Sequence, residues 1–550
     1  MKKENSYKDN SILLLEKGKK GMLYMIFGRF GIVLVSLVIQ FLILFSVFRF
    51  LSHYVHIFLG GVVIFNVASF IYLLNTEDNP SVKITWLVLV SVIPALGIFL
   101  YIFVKMDIGH RAIKNRLVHL QQHTEKFTKD DQKLLSYLEQ EERELYNIAN
   151  YIRKTGSFPV YKETKATYYP IGEAQFEEMI RQLSRAKKFI FLEYFIVDEG
   201  YMWGRILSIL AQKVKEGVEV RMIYDGTCEF AKLPRSYTKK LRSLGIKSKV
   251  FSPIMPFVST HYNYRDHRKI LVIDGKVAFN GGINLADEYI NRIHPFGHWK
   301  DTGMMLEGPA VDNFTLMFLE MWNIDEKQED DYSQWINIYH KEESCKVEEA
   351  EIKAISSSTP SAVNQKEDLG YVIPYGDDPL DGEHVGKMVY IDILNHAKEY
   401  VHIMSPYLIL DGEMETALIF AAKRGVDVRI VLPHIPDKKY AFALAKTHYK
   451  ALLKGGVKIY EYTPGFVHAK VFLSDDQKAV VGTINLDYRS LYHHFECATY
   501  LYEAPAIKDI KKDFKETLEK CQEVKLEDLK KEKLSMVLMG KCLKVLAPLM

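Results

Sequence analysis

The octapeptide HRKILVID, residues 267–274, sets the fold class because its pattern returns once in the chain as HAKVFLSD, residues 468–475. In both copies a His and a Lys precede a run of apolar residues that ends at an Asp, which predicts a strand with two ionisable groups at its head. Residues two apart on a strand face the same side, so His267 and Lys269 project together, as do His468 and Lys470. The Asp of each copy lies an odd number of positions from the His and faces the other side.

The sequence around the two copies is duplicated as well. AKKFIFLEYFIV (186–197) corresponds to AKEYVHIMSPYLIL (397–410), and KEGVEVRMIYDG (215–226) corresponds to KRGVDVRIVLPH (423–434). Each half is predicted to run helix, strand, helix, strand, and then two closely spaced strands that carry the H-x-K element. This order is typical of an α/β fold in which helices cover a sheet. Two homologous lobes of this kind most naturally pair face to face about a pseudo-dyad.

Polar residues suited to a reaction follow each copy of the motif. GGIN (281–284) and GTIN (482–485) supply glycine, which lets a backbone approach a ligand, and Asn, whose amide donates to anionic oxygens. Asp301 and Glu496 come next, each beyond the histidine of its own half. A carboxylate that accepts from Nδ1–H of a histidine fixes the tautomer and leaves Nε2 free to attack. One copy alone would favour a buried core histidine, whereas two copies at matching places favour a shared site.

Aromatic residues end the strands in LEYFI (192–196) and SPYL (405–408), where ligands usually lie in α/β sheets. They could line an acyl groove, but core packing explains them equally well.

The N-terminal region is predicted to lie in a membrane. Three charge-free apolar runs, at about 30–48, 55–74 and 84–104, each have the roughly 20 residues that a helix needs to cross a bilayer. Pro94 in the third run is tolerable in lipid when neighbouring helices satisfy the freed carbonyl. Basic residues flank both the first and the third run, so the positive-inside tendency favours the cytosol for both flanks, and three full spans forbid that. Either one run is re-entrant or interfacial, or one flank departs from the rule.

These patterns divide the 550 residues into five parts. Residues 1–104 are a membrane region with two to three spans, and 105–156 are an amphipathic helical connector. The first lobe is expected at 157–341, a polar linker at 342–370 and the second lobe at 371–550. The second lobe ends in a basic amphipathic helix, which could lie on an anionic membrane or pack on its own domain.

Composition argues against several classes of function. The net charge of +3 gives no global attraction to nucleic acid, and none is expected as a partner. Five scattered cysteines without metal-ligand spacing argue against a zinc site and against a disulfide framework. No acidic cluster suited to Mg²⁺ or Ca²⁺ accompanies the motifs, so no metal and no cofactor are expected.

The paired motifs resemble the H-x-K-x-x-x-x-D signatures of the phospholipase D superfamily. The apolar runs, together with NPSVKITWL (79–87), GGINLADEY (281–289) and GTINLDYRS (482–490), resemble the bacterial cardiolipin synthases within it. The resemblance implies two phospholipase D-type lobes that share one site, in a multi-pass protein of the cell membrane. It also implies metal-free transfer of a phosphatidyl group from one phosphatidylglycerol to another, giving cardiolipin and glycerol. The oligomeric state stays open.

The same resemblance implies roles for individual residues. His267 would attack the phosphorus and form a phosphohistidine, and His468 would protonate the departing glycerol and then deprotonate the attacking hydroxyl, although the sequence does not fix which histidine is the nucleophile. The implied set comprises catalytic His267, Lys269, Asp274, His468, Lys470 and Asp475, phosphate-binding Asn284, Asn485, Gly282 and Thr483, and histidine-orienting Asp301 and Glu496. The two Asp are expected to tie strand ends together. The chain departs from the family pattern at Gly282 and Thr483, where Ser is frequent, and at His494, where Asn is common.

Three alternatives stay open. A membrane-bound phospholipase D, or another phosphatidyltransferase with a different acceptor, would use the same two histidines. A nuclease of the superfamily is disfavoured by the apolar runs and the near-neutral charge. A non-catalytic membrane scaffold is disfavoured because both His-Lys pairs, both Asn and both carboxylates are intact.

Overall fold

The computed structural model describes residues 59–92, 94–106, 108–128, 131–234, 236–253, 264–338 and 368–549, and a few positions between 38 and 49. Most of the predicted span at 30–48 and most of the predicted linker at 342–370 lie outside the described residues. Within the described ranges, no helix combines the length and the apolar character that crossing a membrane requires.

Three apolar helices come first: α1 (Leu59–Leu74), α2 (Pro80–Val92) and α3 (Pro94–Met106). The run predicted as one span at 84–104 is therefore divided between two helices. The division falls at Pro94, which has no amide hydrogen to continue a helix and whose ring clashes with the preceding turn. The three helices share a small core of Leu73, Trp86, Val90, Ile98 and Tyr101.

The connector contains three helices, α4 (Ile108–Thr124), α5 (Gln132–Glu141) and α6 (Arg143–Gly156). They touch both lobes. Arg116 on α4 forms an ion pair with Glu329 of the first lobe at 2.7 Å. Glu142, between α5 and α6, accepts a hydrogen bond from the Tyr502 hydroxyl of the second lobe at 2.9 Å.

The first lobe is built on a seven-stranded mixed sheet with the strand order β1-β9-β7-β6-β2-β3-β4. Its strands are β1 (Lys165–Tyr169), β2 (Phe189–Tyr194), β3 (Glu219–Asp225), β4 (Lys247–Phe251), β5 (Arg265–Asp266), β6 (Lys269–Ile273), β7 (Val277–Gly281), β8 (His298–Lys300) and β9 (Gly303–Glu307). Its helices are α7 (Gly172–Arg185), α8 (Tyr201–Lys215), α9 (Gly226–Ala231), α10 (Tyr237–Ser243) and α11 (Val311–Asn323). The short strands β5 and β8 pair with the second lobe.

The second lobe repeats this arrangement with the strand order β10-β17-β16-β15-β11-β12-β13-β18. Its strands are β10 (Tyr371–Asp377), β11 (Tyr400–Met404), β12 (Asp427–Pro433), β13 (Lys458–Tyr462), β14 (Gly465–Val467), β15 (Val471–Ser474), β16 (Lys478–Gly482), β17 (His494–Tyr502) and β18 (Cys521–Val524). Its helices are α12 (Val385–His396), α13 (Gly412–Lys423), α14 (Lys439–Gly455), α15 (Tyr488–Tyr492), α16 (Ala506–Leu518) and α17 (Leu534–Leu546). The predicted duplication of an α/β lobe is thus confirmed.

The two lobes are joined by two short parallel ladders that correspond to each other. In one, β5 of the first lobe pairs with the start of β17. In the other, β14 of the second lobe pairs with β8. Each ladder uses the segment directly before a motif histidine, so the interface itself positions both copies of the motif.

Candidate active site

Each motif histidine is positioned by the other lobe. Asp266 is in register with Phe495, and the backbone N–H of His267 donates to the carbonyl oxygen of Phe495 at 2.9 Å. At the second ladder Val467 is in register with Lys300, and the backbone N–H of His468 donates to the Lys300 carbonyl at 2.7 Å. Phe495 is followed by Glu496, and Lys300 is followed by Asp301.

This register brings each histidine onto the carboxylate of the opposite lobe. His267 Nδ1 lies 2.9 Å from both carboxylate oxygens of Glu496. His468 Nδ1 lies 2.6 Å from Asp301 Oδ2. The sequence order suggested that each carboxylate serves the histidine of its own half, and the structure corrects that pairing. Both pairs are buried, and in both the Nε2 atom is the nitrogen left for chemistry.

The two motif lysines lie beside the histidines. Lys269 Nζ donates to the backbone carbonyl of His267, and Lys470 Nζ donates to that of His468. Lys470 Nζ also lies 2.9 Å and 3.1 Å from the two ring nitrogens of His468. The two side chains of each motif therefore share one face, as their spacing predicts.

Burial lowers the pKa of both histidines and both lysines of the site, because it disfavours their positively charged forms. Desolvation, with further repulsion from Lys269 and Lys470, holds the pKa of His267 well below its usual range. Desolvation and the charge of Lys470 lower the pKa of His468 to about 4. Desolvation also lowers the pKa of Lys269 to about 8 and that of Lys470 to about 7. These shifts favour the neutral form of both imidazoles near neutral pH and weaken the hold of both lysines on their protons.

Asp301 behaves in the opposite way. Its burial alone would raise the pKa, but the attraction of His468 and Lys470 outweighs burial and lowers the pKa below its usual range. A permanently ionised carboxylate on Nδ1 stabilises an imidazolium when Nε2 takes up a proton.

Gly282 and Thr483 lie directly beside the carboxylates of Asp301 and Glu496. The Thr483 hydroxyl donates to Glu496 Oε2. A Cβ on Gly282 would lie 2.1 Å from Asp301 Oδ1, so the glycine leaves the space that this carboxylate occupies. Gly282 and Thr483 were expected to bind phosphate, but neither lines the cavity that holds the histidines. They do not reach the cavity because they lie behind the two carboxylates.

The two Asn residues differ in what they contact. Asn284 Oδ1 accepts from the Ile196 N–H at 2.9 Å, and Asn284 Nδ2 donates to the Tyr289 hydroxyl at 2.8 Å. Among the described residues, the buried Asn485 Oδ1 has no hydrogen-bond partner. Both side chains line the cavity. The structure therefore ties Asn284 into the lobe and holds Asn485 less firmly at the cavity wall.

The two motif aspartates lie away from the cavity at the far strand ends. Asp274 accepts from the backbone N–H groups of Lys187, Lys188 and Phe189 at 2.8, 2.7 and 3.0 Å. Asp475 accepts from three consecutive N–H groups at 398–400 at 2.8–3.0 Å. Both occupy the left-handed region, with φ of 55° and 52°. Although they belong to the signature, they anchor a strand start and do not touch the reacting centre.

One cavity of about 740 Å³ is lined by both histidines, both Asn and His494. Its walls are mainly apolar and aromatic, and Phe195 and Tyr407 from the two aromatic strand ends are among them. Basic side chains at the wall are Lys232, Lys438 and Arg489, and acidic side chains are Asp198, Glu288, Asp437 and Asp487. The histidines themselves are only 6% and 7% exposed. The size and the mainly apolar walls of this space fit an amphiphilic ligand.

Three ring contacts around the histidines were not anticipated. Phe195 stands edge-on to His267 with ring centroids 4.9 Å apart, and Tyr289 and Trp299 each lie 5.4 Å from His468. The segment LEYFI contains Phe195, but no spacing rule indicates which aromatic residue meets the histidine. Tyr289 lies in a short 3₁₀ helix and Trp299 in β8, and their contacts with His468 depend on how the two lobes fold together.

His494 is the main functional candidate that the motifs do not contain. It lies at the first residue of β17, its ring centroid is 5.2 Å from that of His267, and its Nδ1 lies 3.5 Å from Glu496 Oε1. Burial lowers its pKa to about 3, so the ring is neutral. His267, His494 and Glu496 also form a group whose ligand atoms could hold a metal ion. The nearby Lys269 and Lys470 make the site electropositive, which favours an anion over a cation.

Comparisons with known proteins agree with this geometry. The family described as "Cardiolipin synthase, PLD-like domain" matches residues 179–322 and 390–518, and the family described as "Phospholipase_D-nuclease N-terminal" matches residues 64–105. A protein named cardiolipin synthase from Geobacillus sp. (strain WCH70) is 32% identical over 509 residues, covering 90% of this chain and 94% of its own length. Cardiolipin synthase 2 of Bacillus anthracis is 31% identical over 486 residues, covering 86% and 87%. Among solved structures, phosphatidylserine synthase of Haemophilus influenzae Rd KW20 superimposes with a TM-score of 0.53 at 13% identity, covering 74% of this chain and 99% of that chain.

Proposed function

The chain belongs to the cardiolipin synthase family of phospholipase D-type phosphatidyltransferases, and on that premise we propose that it converts two molecules of phosphatidylglycerol into cardiolipin and glycerol at the cell membrane. The observation that carries the proposal is the pair of histidine–carboxylate contacts made across the lobe interface at one apolar cavity. Two equivalent imidazoles suit a reaction in which both the leaving group and the attacking group are primary alcohols of glycerol.

In the first step Nε2 of His267 attacks the phosphorus of phosphatidylglycerol. The bond from phosphorus to the glycerol oxygen breaks, and a proton from Nε2 of His468 goes to that oxygen. In the second step His468 takes the proton from a hydroxyl of another phosphatidylglycerol, whose oxygen attacks the phosphorus. The phosphorus–nitrogen bond then breaks and cardiolipin leaves, so His267 and His468 both return to their starting states.

The starting state requires one neutral and one protonated imidazole. His468 is suited to carry the proton because Asp301 stays ionised beside it. Binding of a phosphodiester anion favours that protonation, since its charge offsets Lys269 and Lys470. In this mechanism Lys269 and Lys470, with Asn485, would turn to the substrate and hold the non-bridging oxygens while charge develops there.

The same histidines would serve hydrolysis if water replaced the second lipid. Purified protein in phosphatidylglycerol vesicles, with EDTA present, distinguishes the two outcomes. Cardiolipin and glycerol in equal amounts are expected, whereas phosphatidic acid as the main product would overturn the proposal and indicate a phospholipase D.

The nucleophile is tested by trapping. With phosphatidyl-p-nitrophenol labelled in its acyl chains, whose leaving group departs without a proton from His468, His468→Ala is expected to accumulate an acid-labile lipid adduct on His267, because the second step lacks its base. His267→Ala is expected to form no adduct. His434→Ala, which removes a half-exposed histidine paired with Glu461, is the matched control and should retain activity. An adduct on His468 would reverse the assigned roles.

A further inference from the structure

We propose that α2 and α3 form a re-entrant hairpin that enters one leaflet of an anionic phospholipid bilayer and holds the mouth of the cavity against that leaflet. The inference rests on the proposed function only for the identity of the lipid that enters; the topology stands on contacts within the N-terminal helices and the C-terminal segment.

The chain reverses direction between α2 and α3. Trp86 in α2 and Tyr101 in α3 are in edge contact with ring centroids 5.3 Å apart. The Tyr101 hydroxyl donates to Asp78 Oδ2, just before α2, at 3.0 Å. Near the turn, a Cβ on Gly97 would lie 2.8 Å from the Val90 Cα, so the two backbones are in close contact there. Small residues permit such close packing of helices in lipid.

Each arm of this hairpin is too short to reach the opposite leaflet. Both helices have 13 residues, and at about 1.5 Å per residue each rises roughly 20 Å. The hydrocarbon core of a bilayer is about 30 Å thick. A folded-back pair of this length places its turn inside the bilayer and both of its ends on the side where it entered.

The outer face of the hairpin is apolar and exposed. Ile84, Val88 and Val92 recur every fourth residue along α2 and are 60%, 40% and 72% exposed. Phe99 and Ile102 on α3 are 52% and 45% exposed. Large aliphatic side chains repeated at this spacing form one continuous stripe, and contiguous apolar surfaces of this kind mark sites of membrane or protein contact.

The C-terminal segment continues the same surface toward the cavity. The Thr85 hydroxyl of α2 donates to the carbonyl oxygen of Val545 in α17 at 2.7 Å, and Leu549 packs against the core of the N-terminal helices. Leu534 and Leu538 on α17 are 72% and 53% exposed. Ala547, just after α17, lines the cavity itself.

Charge favours a bilayer as the occupant of this surface. Exposed Lys533, Lys541 and Lys544 lie on or beside α17, among its exposed leucines. Lysines next to an apolar stripe bind anionic head groups while the apolar side chains enter the acyl region. Phosphatidylglycerol is itself such an anionic lipid, and the cavity borders the same segment.

A re-entrant third run also accounts for the distribution of charge in the sequence. If the third run turns back, the basic residues at its two ends, Lys83 and Lys105, lie on one side of the membrane. The positive-inside tendency is then satisfied at both flanks.

Cysteine accessibility in the full-length chain tests this topology. In a background with Cys345, Cys521 and Cys542 changed to serine, single cysteines are introduced by Lys83→Cys, Val92→Cys and Lys105→Cys. An exposed position of the second lobe, Lys508→Cys, reports the orientation of the catalytic domain in the same vesicles. The vesicles contain phosphatidylglycerol and phosphatidylethanolamine, and a membrane-impermeant maleimide is added before or after detergent.

We expect the cysteines at positions 83, 105 and 508 to react with the maleimide from the same side of the vesicle membrane. The cysteine at position 92 is expected to react only after detergent is added. Bimane attached at position 92 should be quenched by lipids that carry a nitroxide on the acyl chain, whereas bimane at position 508 should not. Labelling of 83 and 105 from opposite sides would overturn the proposal in favour of a full span. Labelling of position 92 by the impermeant reagent in intact vesicles would overturn it in favour of a hairpin outside the bilayer. Neither result would affect the proposed reaction, which is measured by its products.

Discussion

Replacing Glu496 by Gln keeps the shape of the side chain and removes its charge, so it tests the contact between lobes that positions His267. The carboxylate is fully buried, and both of its oxygens lie 2.9 Å from His267 Nδ1. A hydrogen bond to a charged group contributes about 1.5–3 kcal/mol. Loss of that interaction alone converts to roughly a 10- to 150-fold decrease in rate.

The neighbouring hydroxyl makes the expected loss larger. Thr483 donates to Glu496 Oε2 and would donate to the amide oxygen of the substituted side chain in the same way. The amide nitrogen then faces His267 Nδ1, which must accept a hydrogen bond, so the ring proton moves to Nε2. A histidine protonated on Nε2 cannot attack phosphorus, and a tautomer reversed in this way costs about 10⁴-fold in a comparable triad. We therefore expect Glu496→Gln to lower the rate by about 10³- to 10⁴-fold.

The assay measures the first turnover in phosphatidylglycerol vesicles, where release of glycerol reports attack by His267. Glu415→Gln is the matched control, because Glu415 Oε2 lies 2.7 Å from Nδ1 of buried His448 in the same lobe, outside the cavity. The control is expected to stay within about twofold of the parent rate, as is usual for changes away from the reacting groups. A loss of less than tenfold in Glu496→Gln, or an equal loss in Glu415→Gln, would refute the assigned role of Glu496.

Three further results follow from the same geometry. Gly282→Ala places a methyl group 2.1 Å from Asp301 Oδ1, so the carboxylate must move away from His468. We expect kcat to fall about 10²-fold, which is the cost of a misplacement near 1 Å. An unchanged kcat would contradict the contact. The pKa is lowered to about 8 for Lys269 and to about 7 for Lys470, so the ammonium groups that we propose bind phosphate lose their protons as pH rises. We therefore expect kcat/KM to fall between pH 7 and pH 9 and Lys470→Arg to shift that fall to higher pH; a flat profile would show that the lysines do not bind substrate. Asp274→Ala leaves three backbone N–H groups without their acceptor and should lower the free energy of unfolding by about 3 kcal/mol, measured as a decrease in Tm, and an unchanged Tm would contradict its anchoring role.

The duplication of the fold could be predicted from the sequence because each lobe is determined by contacts within itself. The strands β6 and β15 are continuous apolar runs, and their buried position follows from that pattern alone. The same-face placement of His267 and Lys269 follows from strand geometry in the same way. Such local rules are independent of how the two lobes meet.

The crosswise pairing could not be predicted because it depends on the interface. Strands β5 and β14 have two and three residues, and within the described part of the chain neither pairs with a strand of its own lobe. They exist because the other lobe provides an edge at β17 and at β8. No pattern within one half contains that information, so the sequence order suggested the wrong carboxylate for each histidine.

The sequence does not determine whether the chain reverses direction after α2, for a related reason. Pro94 is compatible with a kinked span and with a sharp turn, and hydropathy does not distinguish them. The contact of Trp86 with Tyr101 and the close approach at Gly97 settle the direction of the chain. Both are tertiary contacts between segments whose composition is equally apolar.

Under the proposed reaction, the charges around the histidines and the walls of the cavity would favour a phosphodiester and protect the intermediate. Two lysines and two histidines are buried together, and within the described residues the carboxylates in direct contact with the motif side chains are Asp301 and Glu496. A phosphate anion bound beside Lys269 and Lys470 favours their charged forms, so its binding raises the lowered lysine pKa values and strengthens each contact in a medium of low dielectric constant. Because the walls of the cavity are mainly apolar, the second hydroxyl arrives more readily on a lipid than as water. The choice between transfer and hydrolysis therefore depends on the walls around the histidines, since the histidines themselves would serve either acceptor.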